Sequence, residues 1–157
     1  MTRSHSTHCS AGPKRHCALS ARLDASHVRP PSIVPEDARP PLIVAVLCAA
    51  WCRTCGEFQR VVADLAAARP RVRFVWIDIE DDSELCGDLD IEDFPTLAVS
   101  RGAMPLHFGT SLPLAAVVGR LVDELGNRAT DTSVEWPETI RALAAAVHMR
   151  ASEGEGA

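Results

Sequence analysis

The sequence predicts an α/β domain built on a mixed β-sheet with helices packed against it. Three observations predict it. A run that is apolar at every position, 42–47, is followed at once by a segment whose apolar residues recur at helical spacing. A second apolar run, 72–77, comes next, and two shorter strand-like runs then flank a glycine-marked connection.

Each element has its own warrant. Leu-Ile-Val-Ala-Val-Leu over 42–47 has no polar face, as expected of a central strand covered on both sides. Phe58, Val61, Val62, Leu65 and Ala66 follow at i, i+3, i+4, i+7 and i+8, one face of a helix that ends before Pro70. Residues 72–77 read as a second buried strand, closed by an acidic loop, 78–82, and a short helical turn, 83–89. A right-handed strand-helix-strand crossover joins the two strands.

Residues 96–99 and 105–108 flank Arg101-Gly102-Ala103, a connection short enough for an antiparallel hairpin. Leu114, Val117, Val118, Leu121, Val122 and Leu125 keep helical spacing, with Ser111 placed to cap, Pro113 in the first turn and Gly126 just past the end. After a polar linker, 127–135, a last helix is expected over 137–149, with Ile140, Leu143, Ala144 and Val147 on one face and Trp136 as its anchor. Phe74 and Trp76 read as core side chains.

Composition narrows the function. A chain of 157 residues, 46% apolar, suits one domain with a real core. Its net charge of -5 is mild, and no basic run alternates with aromatics, so no nucleic-acid partner is expected. The longest apolar stretch falls well short of the ~20 residues that span a bilayer, so no membrane helix is expected. Residues 1–40 are rich in Ser, His, Arg and Pro and read as a flexible basic tail and lead-in. They hold no apolar block for a signal peptide, which makes a reducing cytoplasm the expected compartment. There the six cysteines would mostly be free thiols, and a close pair is more plausibly catalytic or metal-binding than structural.

That pair is Cys52 and Cys55, in Trp51-Cys52-Arg53-Thr54-Cys55, at the passage from buried strand to amphipathic helix. The first cysteine therefore falls at a helix N-terminus, where unpaired N–H groups and the helix dipole favour thiolate, and Arg53 adds positive charge. Three residues on, Cys55 comes round close enough to bond Cys52 and is more buried, which suits a resolving thiol. Phe94-Pro95-Thr96 is the second candidate element. A proline opening a strand cannot donate to the ladder, and a cis Phe94-Pro95 bond would let exposed backbone there bind an extended substrate.

With these residues in place the chain resembles the thioredoxin family. The likeness rests on Trp51-Cys52-Arg53-Thr54-Cys55 after a hydrophobic strand, Asp78 after the next, Phe94-Pro95-Thr96 some forty residues beyond the cysteines, a glycine-marked hairpin and a helix. It covers about residues 41–126, leaving 127–157 as linker, extra C-terminal helix and acidic tail. The resemblance implies a thioredoxin-like fold with a mixed sheet of about four strands. It also implies Cys52 as nucleophile, Cys55 as resolving thiol, Trp51 packed beside them and a cis Pro95 that contacts substrate. Two departures stand out: Arg53-Thr54 replaces the family's usual Gly-Pro, and Val46 stands where the family tends to carry a buried Asp. The family's first strand and helix are not traceable in residues 20–41.

The expectation is a monomeric thiol-disulfide oxidoreductase with no bound cofactor. It would act on disulfide-containing proteins and draw electrons from a reductase or small thiol. The alternative is a thioredoxin-fold binding or assembly module whose cysteines are regulatory or hold zinc, with Cys48 and Cys86 completing a site. On that alternative's other side, Cys48 reads as a small core hydrophobe and Cys86 as buried and inert. His5, His8, Cys9, His16 and Cys17 in the tail hold soft-metal ligand types, though an unstructured tail with such residues is the commoner case.

Overall fold

Alternation along the first strand decides the architecture. In the computed structural model, which describes residues 39–129 and 133–153, β1 (Leu42–Cys48) is buried along its whole length. Leu42, Val44, Val46 and Cys48 point to one face of the sheet, and Ile43, Ala45 and Leu47 to the other. A strand with no solvent face must be central and must be covered twice.

Both covers are present. On the first face lie α1 (Arg53–Ala68), through Cys55, Phe58, Val62 and Leu65, and α3 (Ala115–Asn127), through Val118, Val122 and Leu125. On the second lie the short α2 (Ser83–Cys86) and α4 (Glu138–Glu153), the latter through Leu143 and Val147. Each large apolar side chain so buried stabilises by roughly 1.5–3 kcal/mol relative to an exposed one. The described residues belong to one compact unit, Pro35–Ala157.

Among the described residues the sheet has four strands in the order β2-β1-β3-β4. β2 (Val72–Asp78) runs parallel to β1 and is reached by the α1 crossover, pairing Val46 with Trp76 and Cys48 with Asp78. β3 (Thr96–Arg101) is antiparallel to β1, with Leu47 opposite Thr96, and β4 (Met104–Thr110) completes the hairpin. Gly102 turns that hairpin at φ 57°, a conformation that favours glycine, and a Cβ there would sit tightly, 3.1 Å from Pro40 Cβ. This is the expected mixed sheet flanked by helices.

Some details differ from the sequence reading. Ser111 does not cap α3: its N–H donates to Pro95 O at 3.0 Å and its hydroxyl to Leu112 O, which ties it to the end of the hairpin. The helix starts at Ala115 with Leu114 as N-cap, so Pro113 precedes it and Gly126 falls inside its last turn. The last helix runs beyond Met149 to Glu153 and is docked. Arg150 pairs with Asp82 at 2.6 Å, and Arg73 donates to Ala151 O at 3.0 Å. Trp136 is half-buried, in a crevice with Pro105, Leu106 and Leu125. Phe74 and Trp76 pack, partly buried, on the first face. The expected N-terminal tail, with His5, His8, Cys9, His16 and Cys17, and the last residues of the acidic tail lie outside the described residues. No helix among the described residues is long and apolar enough to cross a membrane.

Candidate active site

The C-terminal end of β1 delivers the cysteines. After Cys48 the chain turns through Ala49, Ala50 and Trp51, and the Cys52 N–H donates to Ala49 O at 3.0 Å to close the turn. Cys52 is the N-cap of α1, in extended conformation (φ −79°, ψ 107°), and its carbonyl accepts the helix's first hydrogen bond, from Gly56 N–H at 3.2 Å. No side chain caps this end. The N–H groups of the first turn therefore open toward Cys52 with the positive end of the helix dipole behind them. Cys52 is half-buried, Arg53 and Thr54 are exposed, and Cys55 is 2% exposed, facing the core.

The sulfur pairing differs from the expected one. Cys55 is bonded to Cys48, with Cα atoms 6.0 Å apart, inside the range a disulfide spans without backbone movement. Among the described cysteines, Cys52 and Cys86 are free. Cys48 is thus in the core, as expected, but not as a bare hydrophobe, and the bond at Cys55 is not the Cys52–Cys55 bond the spacing suggested. The reason is facial. Cys48 shares the parity of Val44 and Val46, and Cys55 lies three residues before Phe58, so both point into the first face beneath α1. Cys52, at the helix mouth, lies at the edge of the same cluster. Sequence reasoning missed the pair because a spacing of seven across strand, turn and helix is no motif. The shared face was the available signal.

Cys86 belongs elsewhere. It is buried on the second face with Leu143 and Val147, across the sheet from Cys48 and Cys55. Burial, and next the charge of Asp82, push its thiol above the ordinary value. No group of three or more His, Cys, Asp or Glu among the described residues is arranged to hold a metal ion.

The second candidate element reaches the same end of the sheet. Phe94-Pro95 is a cis peptide bond, and Thr96, paired with Leu47, brings Pro95 alongside the end of β1. Pro95 is buried, its carbonyl accepts from Ser111 N–H, and the Thr96 hydroxyl donates to Asp93 O at 2.8 Å. Trp51 is 66% exposed and meets Phe94 edge to face, with centroids 5.6 Å apart and planes at 87°. The two rings make an apolar rim beside Cys52. Val46, fully buried between Trp76 and Leu97, leaves no carboxylate on the strand beneath the cysteines. Asp78, at the end of β2, accepts from Glu80 N–H at 3.0 Å and so organises its own loop. A groove at the far end of the sheet, among Arg69, Arg73, Arg101 and Asp123, holds no cysteine.

Comparison with known proteins agrees with this fold. No functionally curated protein matches the sequence. Among solved structures, a thioredoxin from Fasciola hepatica aligns at 20% identity and TM-score 0.50, covering 55% of this chain and 82% of its own. A thioredoxin mutant from Halobacterium salinarum aligns at 19% and 0.50, covering 58% and 80%. At these identities they speak to the fold. The family model for thioredoxin matches residues 34–113, a span that holds the disulfide, the helix-mouth cysteine and the cis proline. The chain belongs to the thioredoxin family.

Proposed function

We propose that the protein is a thiol-disulfide oxidoreductase that reduces or exchanges disulfides of protein substrates in a reducing, cytoplasmic setting, with electrons supplied by a reductase or small thiol. The observation that carries this is Cys52: a free, half-buried thiol at the N-cap of α1, one turn before a cysteine whose sulfur already forms a disulfide. Cys52 attacks a substrate sulfur and forms a mixed disulfide, and one substrate thiolate leaves. From the fully reduced protein, Cys55 then attacks Cys52 Sγ, expels the second substrate thiolate and leaves Cys52–Cys55 oxidised.

The helix mouth supports the first step by leaving the N–H groups of its first turn uncapped beside the attacking sulfur. The Trp51–Phe94 rim offers apolar contact for an extended substrate stretch and exposed Arg53 adds positive charge, whereas Pro95, expected to present exposed backbone, is buried with its carbonyl held by Ser111 N–H. With Val46 in place of a carboxylate, the proton leaving Cys55 passes to water or substrate. Turnover of a disulfide-bonded reporter protein with dithiothreitol tests the reading. Wild type should turn over, and Cys52→Ser should fall to the uncatalysed rate. Equal rates in the two would refute it.

A further inference from the structure

We propose that Cys48 is a third redox residue of this site, which draws the disulfide inward from Cys52–Cys55 to Cys48–Cys55 and returns Cys52 as a free thiol. The inference rests on the reading of Cys52 as the attacking thiol, and goes beyond it. After one substrate is reduced, the outer disulfide joins Cys52 and Cys55. The Cys48 thiol attacks Cys55 Sγ and its proton ends on the departing Cys52 sulfur; the Cys48–Cys55 bond forms, the Cys52–Cys55 bond breaks, and Cys52 leaves as a thiol. One disulfide and one thiol stand on each side of the step, so no external oxidant or reductant is consumed.

Two observations favour the inner bond. Cys48 and Cys55 are 1% and 2% exposed in the apolar cluster of the first face, where a thiolate would lack solvation but a disulfide sulfur loses nothing. Cys52 is half-buried at the open end of α1, where hydration and the helix N–H groups can hold the charge. The exchange therefore places the apolar bond inside and the free sulfur at the mouth. The Cα separation of 6.0 Å between Cys48 and Cys55 lets the inner bond form on the existing backbone.

The exchange changes what the site can do. With Cys55 engaged by Cys48, a substrate or small thiol captured on Cys52 meets no resolving thiol, and the mixed disulfide persists. The oxidised domain then acts as a one-thiol trap, and the reduced domain as a two-thiol reductase. Entry and exit both pass through Cys52, because the inner disulfide is sealed from solvent.

Disulfide mapping tests this on the full chain. Reduced protein is oxidised with one equivalent of diamide and quenched in acid. Free thiols are alkylated in denaturant, and Cys55 is located by fragmentation of the peptides cut at Arg53. The expected result is Cys55 joined to Cys48 with Cys52 alkylated, in roughly tenfold excess over the alternative. Cys55 joined to Cys52 with Cys48 alkylated overturns the inference but leaves the proposed function standing. If neither bond forms and turnover of the reporter is also independent of Cys52, both readings fail. A second measurement uses Cys52→Ser, oxidised during refolding so that Cys48–Cys55 is formed and then treated with dithiothreitol under native conditions. Its disulfide should be reduced at least about tenfold more slowly than in wild type, because the entry thiol is gone. Equal rates would overturn the inward exchange.

Discussion

Leu143→Ala is the sharpest test of how the second face of the sheet is closed. Leu143 is 1% exposed and packs with Ile43, Leu47, Ile77 and Val147, so truncation removes three carbons from a filled site and leaves a cavity. Such deletions cost about 2–5 kcal/mol, a large part of the ~5–15 kcal/mol that holds a domain together. At about 4 °C per kcal/mol for a domain of this size, Tm should fall by roughly 8–20 °C. Urea unfolding followed by far-UV circular dichroism measures it directly, with the midpoint falling and the slope unchanged. Arg141→Ala is the control on the same helix: its ion pair with Glu138 is exposed, and the loss should be at most about 0.5 kcal/mol. Similar small effects from both variants would mean that α4 does not cover the sheet, and the two-sided core would be refuted.

Three further outcomes follow from the same structure. Burial holds the His107 imidazole below its ordinary value of 6.5, so the unfolded chain binds the extra proton first; the stability present above that value should drain away as pH falls, and His107→Gln should flatten the drop seen by urea unfolding. Cys86 carries the opposite sign, its thiol raised by burial and then by Asp82: stability should decline as pH rises past the ordinary thiol range, and a maleimide should label Cys52 well before Cys86 in the folded protein. Arg69 donates through two nitrogens to Asp123 at 2.8 Å, joining the end of α1 to α3; Asp123→Asn should cost at most about 1 kcal/mol in denaturation, shrinking in high salt because Asp123 is largely exposed.

Much of this fold is legible in the sequence because its signals are local and agree with one another. The unbroken apolar run at Leu42 fits a twice-covered strand, and the i, i+3, i+4 spacing from Phe58 fits a helix that buries one face. Cys52 at a helix mouth follows from those two facts alone. The cis Phe94-Pro95 bond is anticipated from a proline at the head of a strand together with the family likeness. What escaped reading depends on geometry between elements. Ser111 has the chemistry of a cap, yet its N–H is taken by Pro95 O, a hairpin bond invisible in a one-dimensional pattern. The Cys48–Cys55 bond depends on a strand residue and a helix residue meeting beneath the same face, seven positions apart. Face parity along each element would have pointed to it, whereas motif spacing drew attention to the nearer pair. Docking of α4 is likewise not legible in the sequence, because a helix with a modest apolar stripe gains its stability from what it covers.

The central claim is that the half-buried sulfur at the mouth of α1 is the one that meets substrate. Reduced Cys55→Ser protein, mixed with a disulfide-bonded reporter, measures this most directly when the captured adduct is digested and its site read by mass spectrometry. The account predicts a stable mixed disulfide on Cys52, formed in near-stoichiometric yield and released by added dithiol. An adduct carried on Cys48 or Cys86, or no adduct while wild type still turns over, would contradict it.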